Sequence, residues 1–296
     1  MNKGKKSILV VDDDVVSITV LSGILEKEYT VYVTKNGTAA VKVAKKNQPD
    51  VILLDIVMPE MDGYDVITAL KSSEETRNIP VIFVTKLDDN DSIEKGLKLG
   101  AADYITKPFH PARVEFRVTN QIRLTEQLLK QEMLEKISRK VLFGVYTNSY
   151  YSDILSMASE FLDTSQMLLY RMEDDSGYFT CQSEWISPEA KIKTRIGEKF
   201  ALKDLPFAAI NSLLTDDDSE LNINSNTPSF KDSMKPYRGD LPNFILIPFT
   251  DKGKLYGIFD FSREDDGRKW SKIELDFAVL FSSIVSGALL RDVTEG

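Results

Sequence analysis

The sequence holds a single cysteine, Cys181, and a single histidine, His110, among 296 residues. One cysteine excludes an internal disulfide, and so few thiols and imidazoles exclude a metal cage built from them, so any metal chemistry must use oxygen ligands. A histidine kinase is disfavoured too, because His110 follows Lys107-Pro108-Phe109 and no glycine-rich nucleotide site comes after it. Basic residues are in the minority: the formal net charge is −9, and no basic stripe compensates for it, so no DNA binding is expected. No apolar stretch approaches the ~20 residues of a bilayer span, and residues 1–6 run into a short strand without a signal-peptide apolar region. The expectation is a cytoplasmic protein with no membrane insertion.

What is present is the composition of a globular chain, 42% apolar and 28% charged, with enough length for two ordinary domains. Short runs rich in Val and Ile recur at residues 8–11, 31–33, 51–54, 81–84 and 104–105. Such runs suit parallel strands buried on both faces. Between them, residues 16–25, 39–44, 66–70 and 93–99 have helical spacing. Strand and helix alternate, which specifies α/β: a doubly wound, five-stranded parallel sheet over about 120 residues, here assigned to residues 1–125.

From residue 111 to 146 the apolar residues Val118, Ile122, Leu129, Met133, Ile137, Val141 and Val145 step by four or seven, which predicts one long amphipathic helix or two in series. Residues 126–146 are read as a connecting helix, either docked on its own chain or paired as a dimer coiled coil. Residues 147–296 change character, with a helix over 154–162, strands over 167–172, 178–185, 244–249 and 255–261, and a glycine-containing hairpin turn between the last two. Ser271-Lys272-Ile273-Glu274 has the form of a capping box opening a final helix. An α+β domain follows, an antiparallel sheet with helices on one face. Residues 204–242 are expected to form a long crossing loop with a short helix near 207–214.

In an open parallel sheet, functional side chains gather at the carboxyl ends of the strands. Asp12, Asp13 and Asp14 follow the first strand, Asp55 ends the third, Thr85 ends the fourth and Lys107 follows the fifth. The chemistry this set suits is phosphoryl transfer to a carboxylate, giving an acyl phosphate. Repulsion between two anions is relieved by a divalent ion on further carboxylates, and Mg2+, which binds through one or two carboxylates and keeps several waters, is the expected cofactor. Lys107 adds charge to the phosphoryl oxygens and the Thr85 hydroxyl donates to one of them.

The segments Ile8-Leu9-Val10-Val11-Asp12-Asp13-Asp14, Leu54-Asp55-Ile56-Val57-Met58-Pro59, Val84-Thr85 and Tyr104-Ile105-Thr106-Lys107-Pro108-Phe109 together resemble the response-regulator receiver family over residues 6–125. That resemblance implies that Asp12 and Asp13 are the acidic pair and that Asp55 is phosphorylated by a partner histidine kinase or phosphotransfer protein. It implies further that the Val57 carbonyl completes the metal shell, that Thr85 and Tyr104 form a switch and that the Lys107-Pro108 peptide is cis. Catalysis is then limited to self-phosphorylation and self-dephosphorylation. Two departures stand out. Lys86 replaces the small residue common after the switch threonine, and either pairs with the phosphoryl group or is a solvated lysine. Val57 and Leu87, two residues beyond Asp55 and Thr85, are both apolar and are expected to shield the acyl phosphate from water.

The hairpin of residues 244–261 followed by Arg268-Lys269-Trp270-Ser271 looks like a GAF domain over about residues 135–292. The resemblance implies a sensory or dimerisation domain, with a homodimer and an unidentified small-molecule ligand as expected partners. The candidate cavity lies between sheet and crossing loop, with Trp185, Phe207, Phe230 and Tyr237 as candidate wall residues, although such residues are more often simply core. Cys181 is followed by Gln182, which argues against covalent bilin attachment and for a buried structural cysteine. The alternative is a degenerate catalytic module in the carboxyl-terminal part, and a further output domain could continue beyond the terminal helix.

Overall fold

A computed structural model describes residues 5–86, 90–144, 149–173, 177–201, 223–226, 241, 243–251, 254–264 and 267–294. Leu87, Phe207, Phe230, Tyr237 and the helix expected near 207–214 lie outside the described residues. The chain divides into two compact units, Met1–Glu126 and Gln127–Gly296.

The first unit alternates β1 (Ser7–Val11), α1 (Val15–Leu25), β2 (Thr30–Thr34), α2 (Gly37–Asn47), β3 (Val51–Asp55), α3 (Gly63–Ser72), β4 (Val81–Thr85), α4 (Asn90–Lys98) and β5 (Asp103–Thr106), and then enters α5 (Pro111–Phe143). The strands are parallel in the order β2-β1-β3-β4-β5. Successive strand residues point to opposite faces, so each apolar run feeds two cores. Leu9, Val11, Ile52, Leu54, Val81 and Phe83 meet Ala40 and Ala44 of α2 and Val66, Ile67 and Leu70 of α3. Ile8, Val10, Val51, Leu53, Ile82 and Val84 meet Ile18, Leu21 and Leu25 of α1 and Val114, Val118 and Ile122 of α5. Covering both faces leaves the strand ends as the place where polar groups can reach solvent.

The second unit holds the end of α5, then α6 (Tyr150–Leu162), β6 (Gln166–Glu173), β7 (Tyr178–Ile186), β8 (Lys199–Ala201), β9 (Ile223–Asn224), β10 (Asn243–Asp251), β11 (Lys254–Arg263) and α7 (Lys272–Thr294). Its antiparallel sheet runs β8-β7-β6-β11-β10-β9. One face packs Met167, Leu169, Ile245, Ile247, Phe259 and Phe261 against Ile137 and Val141 of α5, Ile154, Leu155 and Ala158 of α6, and Phe277, Phe281 and Val285 of α7. The opposite face carries a smaller core of Leu168, Tyr170, Phe179, Cys181, Phe244 and Leu246. The capping box at Ser271 forms as expected: the Glu274 N–H donates to Ser271 Oγ at 3.3 Å and the Ser271 N–H donates to Glu274 Oε2 at 2.7 Å.

One expectation needs correction. Lys272–Leu290 has a mean hydropathy of 1.8 and is long and apolar enough, by length and composition alone, to cross a membrane. The sequence reading missed it because charges at both ends and three serines within break the run, while Phe277, Ala278, Phe281, Val285, Ala288 and Leu289 are spent on the core of the sheet. Trp185 takes the core placement, the alternative to a cavity wall. A register break opposite Leu169 and Tyr170 turns β7, so Cys181 faces the smaller core whereas Trp185 packs on the helix-covered one. Simple alternation from Cys181 would have put both on one face.

Candidate functional site

The chain reaches the site first at the end of β1. The Asp12 N–H donates to the Thr34 carbonyl at 3.2 Å, which extends the β1–β2 pairing by one residue and holds the fully buried Asp12 in place. Asp12 Oδ1 then accepts the Asp14 N–H at 2.9 Å. Asp14 turns the other way and caps α1, accepting from the N–H groups of Val16 at 3.0 Å and Ser17 at 3.3 Å. These bonds hold its carboxyl below the ordinary carboxylate range, the Val16 N–H contributing most. Asp13, between them, is exposed.

Asp55 ends β3, and the backbone around it is fixed on two sides. The Ile56 N–H donates to the Val84 carbonyl at 3.3 Å, and the Gly63 N–H donates to the Ile56 carbonyl at 2.8 Å. The loop closes so tightly that a Cβ at Gly63 would lie 2.5 Å from the Asp55 carbonyl oxygen and 2.8 Å from Ile56 Cα, so only glycine fits there. Glu60 in the same loop is left-handed, with φ 67°. The Val57 N–H bonds the Asp55 carboxylate, while the Val57 side chain is 69% exposed.

Lys107 completes the group. Its N–H donates to the Thr85 carbonyl at 2.8 Å, and a cis peptide joins it to Pro108. Its ammonium lies 2.7 Å from Asp12 Oδ2 and 2.8 Å from Asp55 Oδ2. Carboxylate oxygens of Asp12, Asp13 and Asp55 all lie within 4.8 Å of one another. One cation shared by three acids leaves an excess of negative charge. Burial, opposed by the Lys107 hydrogen bond and reinforced by the charge of Asp12, pushes the Asp55 carboxyl up. Burial also weighs against the Lys107 ammonium, but the bonds to Asp12 and Asp55 outweigh it and hold its pKa up. Hard oxygen donors crowded at this spacing fit a small divalent ion such as magnesium. Asp12, Asp13 and Asp55 are the side chains that would hold it.

Thr85 is buried at the end of β4. Together with Tyr104 it lines a small cavity closed by Ile56, Phe83, Leu97 and Asp103. Lys86 is exposed at the strand end. A connection that spacing did not reveal joins Tyr104 to α5: Asp103 Oδ1 accepts the Tyr104 N–H at 2.8 Å, and Arg117 Nη1 reaches both Asp103 oxygens at 2.8 and 2.7 Å. In the second unit, Trp185 is the one expected wall residue among those described, and it packs in the helix-covered core.

Residues 8–119 match the response regulator receiver domain and residues 149–289 match the GAF domain. The response regulator PleD of Caulobacter vibrioides (strain NA1000 / CB15N) is 40% identical over 117 residues, 39% of this chain and 26% of that protein. The alkaline phosphatase synthesis transcriptional regulatory protein PhoP of Bacillus subtilis (strain 168) is 38% identical over 122 residues, 41% of this chain and 50% of that protein. A crystallised receiver domain of a sensor histidine kinase from Pseudomonas aeruginosa PAO1, with a magnesium ion coordinated in its active site cleft, is 31% identical. It covers 40% of this chain and 98% of that one, with a TM-score of 0.38. The chain thus spans between about a quarter and a half of the length of these curated relatives. It carries a response regulator receiver domain followed by a GAF domain.

Proposed function

We propose that Asp55 accepts a phosphoryl group from the phosphohistidine of a kinase or phosphotransfer protein, and that the resulting acyl phosphate sets the state of the second domain. Residues 1–125 serve as the acceptor module, 126–146 as the connecting helix and 147–296 as the sensory or pairing domain. The observation that carries this reading is the crowding of the Asp12, Asp13 and Asp55 oxygens within 4.8 Å, with the Lys107 ammonium on two of them.

Receiver domains bind Mg2+ at the acidic site, and there it would neutralise charge on the incoming phosphoryl oxygens. The chain's own residues do the rest. An Asp55 oxygen forms a bond to phosphorus as the phosphorus–nitrogen bond of the donor breaks, and the electron pair stays on the donor imidazole. Lys107 leaves its bond with Asp55 for the new phosphoryl oxygens, and the Thr85 hydroxyl donates to one of them. Drawing Thr85 towards the phosphoryl group changes the cavity it shares with Tyr104, which is the switch. In self-dephosphorylation water attacks phosphorus, the bond to Asp55 breaks, and the carboxylate returns. Val57, and Leu87 by its spacing, limit the approach of that water, while Lys86 is a cation at the mouth of the site.

A cytoplasmic setting follows from a histidine kinase as donor. The second domain's output is self-association or binding of a small molecule. The test is incubation of the full chain with a small acyl-phosphate donor and magnesium, read by intact mass. Gain of one phosphoryl mass, absent in Asp55→Asn and in the presence of EDTA, is the expected result. An unchanged mass in the wild-type chain, with magnesium shown to bind, would overturn the reading.

A further inference from the structure

We propose that Tyr64 and Lys95 form a latch that holds α4 in the arrangement where Lys107 is bonded to Asp55, and so tunes how readily Asp55 takes a phosphoryl group. This rests on the reading of Asp55 as the phosphoacceptor and adds two positioning residues to it. Tyr64 is the second residue of α3 and follows Gly63, whose N–H is bonded to the Ile56 carbonyl and which has no room for a Cβ against Asp55. The first turn of α3 therefore cannot slide relative to the Asp55 loop, and the Tyr64 ring is a platform fixed to that loop. The ring meets Phe83 of β4 edge-on, with centroids 5.6 Å apart. Lys95 of α4 sets its ammonium 3.9 Å from the centroid of the same ring. The neighbouring acid, Glu94, is turned to Lys98 instead, at 2.6 Å.

Phe83 supports α4 as well. A Cβ at Gly96 would lie 2.8 Å from Phe83 Cε2, so the backbone of α4 rests on the Phe83 ring. With Thr85 and Tyr104, Phe83 lines the cavity that Ile93 and Leu97 of α4 close. Lys95 is two residues from each of these, more than half a helical turn, which puts it on the side of α4 away from the cavity. Phosphoryl transfer takes Lys107 off Asp55 and draws Thr85 out of the cavity wall. Interiors keep their density, so Ile93 and Leu97 follow inward to fill the space. That shift turns Lys95 away from the Tyr64 ring. The contact belongs to one arrangement and not to the other, so by linkage its strength is set against phosphorylation.

Calorimetric titration of the full chain with beryllofluoride in magnesium is the test. The wild-type chain is expected to bind. Lys95→Met keeps the aliphatic stem and removes the charge, at an exposed position that leaves the core intact. Tyr64→Leu keeps an apolar contact with Phe83 and removes the π face. Each should bind about twofold to fivefold more tightly than wild type. The double variant should gain no more than either single one, because both remove the same contact. Lys95→Arg, which retains a cation over the ring, should bind as the wild type does. The sign separates the latch from simpler effects, since loss of a surface cation weakens anion binding and loosened packing lowers the melting temperature without tightening a ligand. Wild-type binding that Lys95→Met and Tyr64→Leu leave unchanged or weaken would overturn the latch while leaving the phosphoacceptor reading standing. Additive gains in the double variant would overturn the pairing of these two residues. A wild-type chain that binds magnesium but no beryllofluoride would overturn both readings.

Discussion

The Lys107 ammonium lies 2.8 Å from Asp55, the proposed phosphoacceptor, and 2.7 Å from Asp12 as well. A single cation spread over two buried acids leaves both partly uncompensated. Burial and the Asp12 charge therefore raise the Asp55 carboxyl despite the bond to Lys107. A raised carboxyl means that the folded chain takes up this proton more readily than the unfolded one, so the stability from it is complete below the unfolded value. That stability is lost as pH rises through the folded value. Asp55→Asn, uncharged throughout, should melt a few degrees above wild type near neutral pH in EDTA. The gap should close as the pH is lowered through the carboxylate range. Thermal melts across pH check this, and an Asn variant that melts lower at neutral pH would contradict it.

Val57 exposes its side chain beside the proposed acceptor while its N–H holds the Asp55 carboxylate. Replacing it by asparagine keeps the backbone bond and adds a group able to orient water. Val57→Asn is expected to shorten the lifetime of the phosphorylated chain several-fold, and Leu87→Glu to do the same. Loss of phosphoryl mass with time, after removal of the donor, measures both.

Gly63 admits no Cβ, because the Asp55 carbonyl oxygen and Ile56 Cα stand in its place. Gly63→Ala must push back the strand end that bears Asp55, at a cost of about 1–3 kcal/mol. Urea denaturation should register the loss of stability, and beryllofluoride binding should weaken with it.

Glu274 does two jobs at the start of α7. It closes the capping box with Ser271 and pairs with Arg263 at 3.0 Å, whose side chain is 3% exposed and lies over the Trp270 ring. Ser271→Ala should cost about 1 kcal/mol, as lost caps do. Glu274→Ala should cost about 3–5 kcal/mol, because it strands a buried guanidinium. Equal effects of the two substitutions in urea titrations would show that the ion pair contributes little.

Cys181 has its thiol pushed up to about 12, chiefly by burial and then by the charges of Glu184, Asp260 and Glu198. Its thiolate fraction near neutral pH should be on the order of a thousandfold below that of a free cysteine. A disulfide reagent should modify it quickly in urea and hardly at all in the folded protein, as absorbance of the released thiol will report.

The first unit was legible because its central strands β1, β3 and β4 are buried on both faces, so that runs such as residues 51–54 need no periodicity to be recognised. The clustering of its acids with Lys107 was legible for a related reason, since parallel strands deliver their ends to one edge. What escaped was everything that depends on pairing between distant segments. β8 and β9 have three and two residues, too few for any pattern. The face on which Trp185 packs depends on a register break in β7 that cannot be read from alternation. The tie from Tyr104 through Asp103 to Arg117 joins two elements whose relative placement no local spacing reveals.

Asp12, Asp13 and Asp14 are identical in chemistry and adjacent in sequence, yet no two of them meet the same surroundings. Asp12 is sealed against Lys107, Asp13 opens to solvent, and Asp14 is committed to the first turn of α1. A random mutagenesis screen across this triplet should therefore sort into distinct phenotypes. Changes at Asp14 should surface as temperature sensitivity that chaperones or osmolytes can correct, whereas changes at Asp13 should leave abundance intact and silence the pathway.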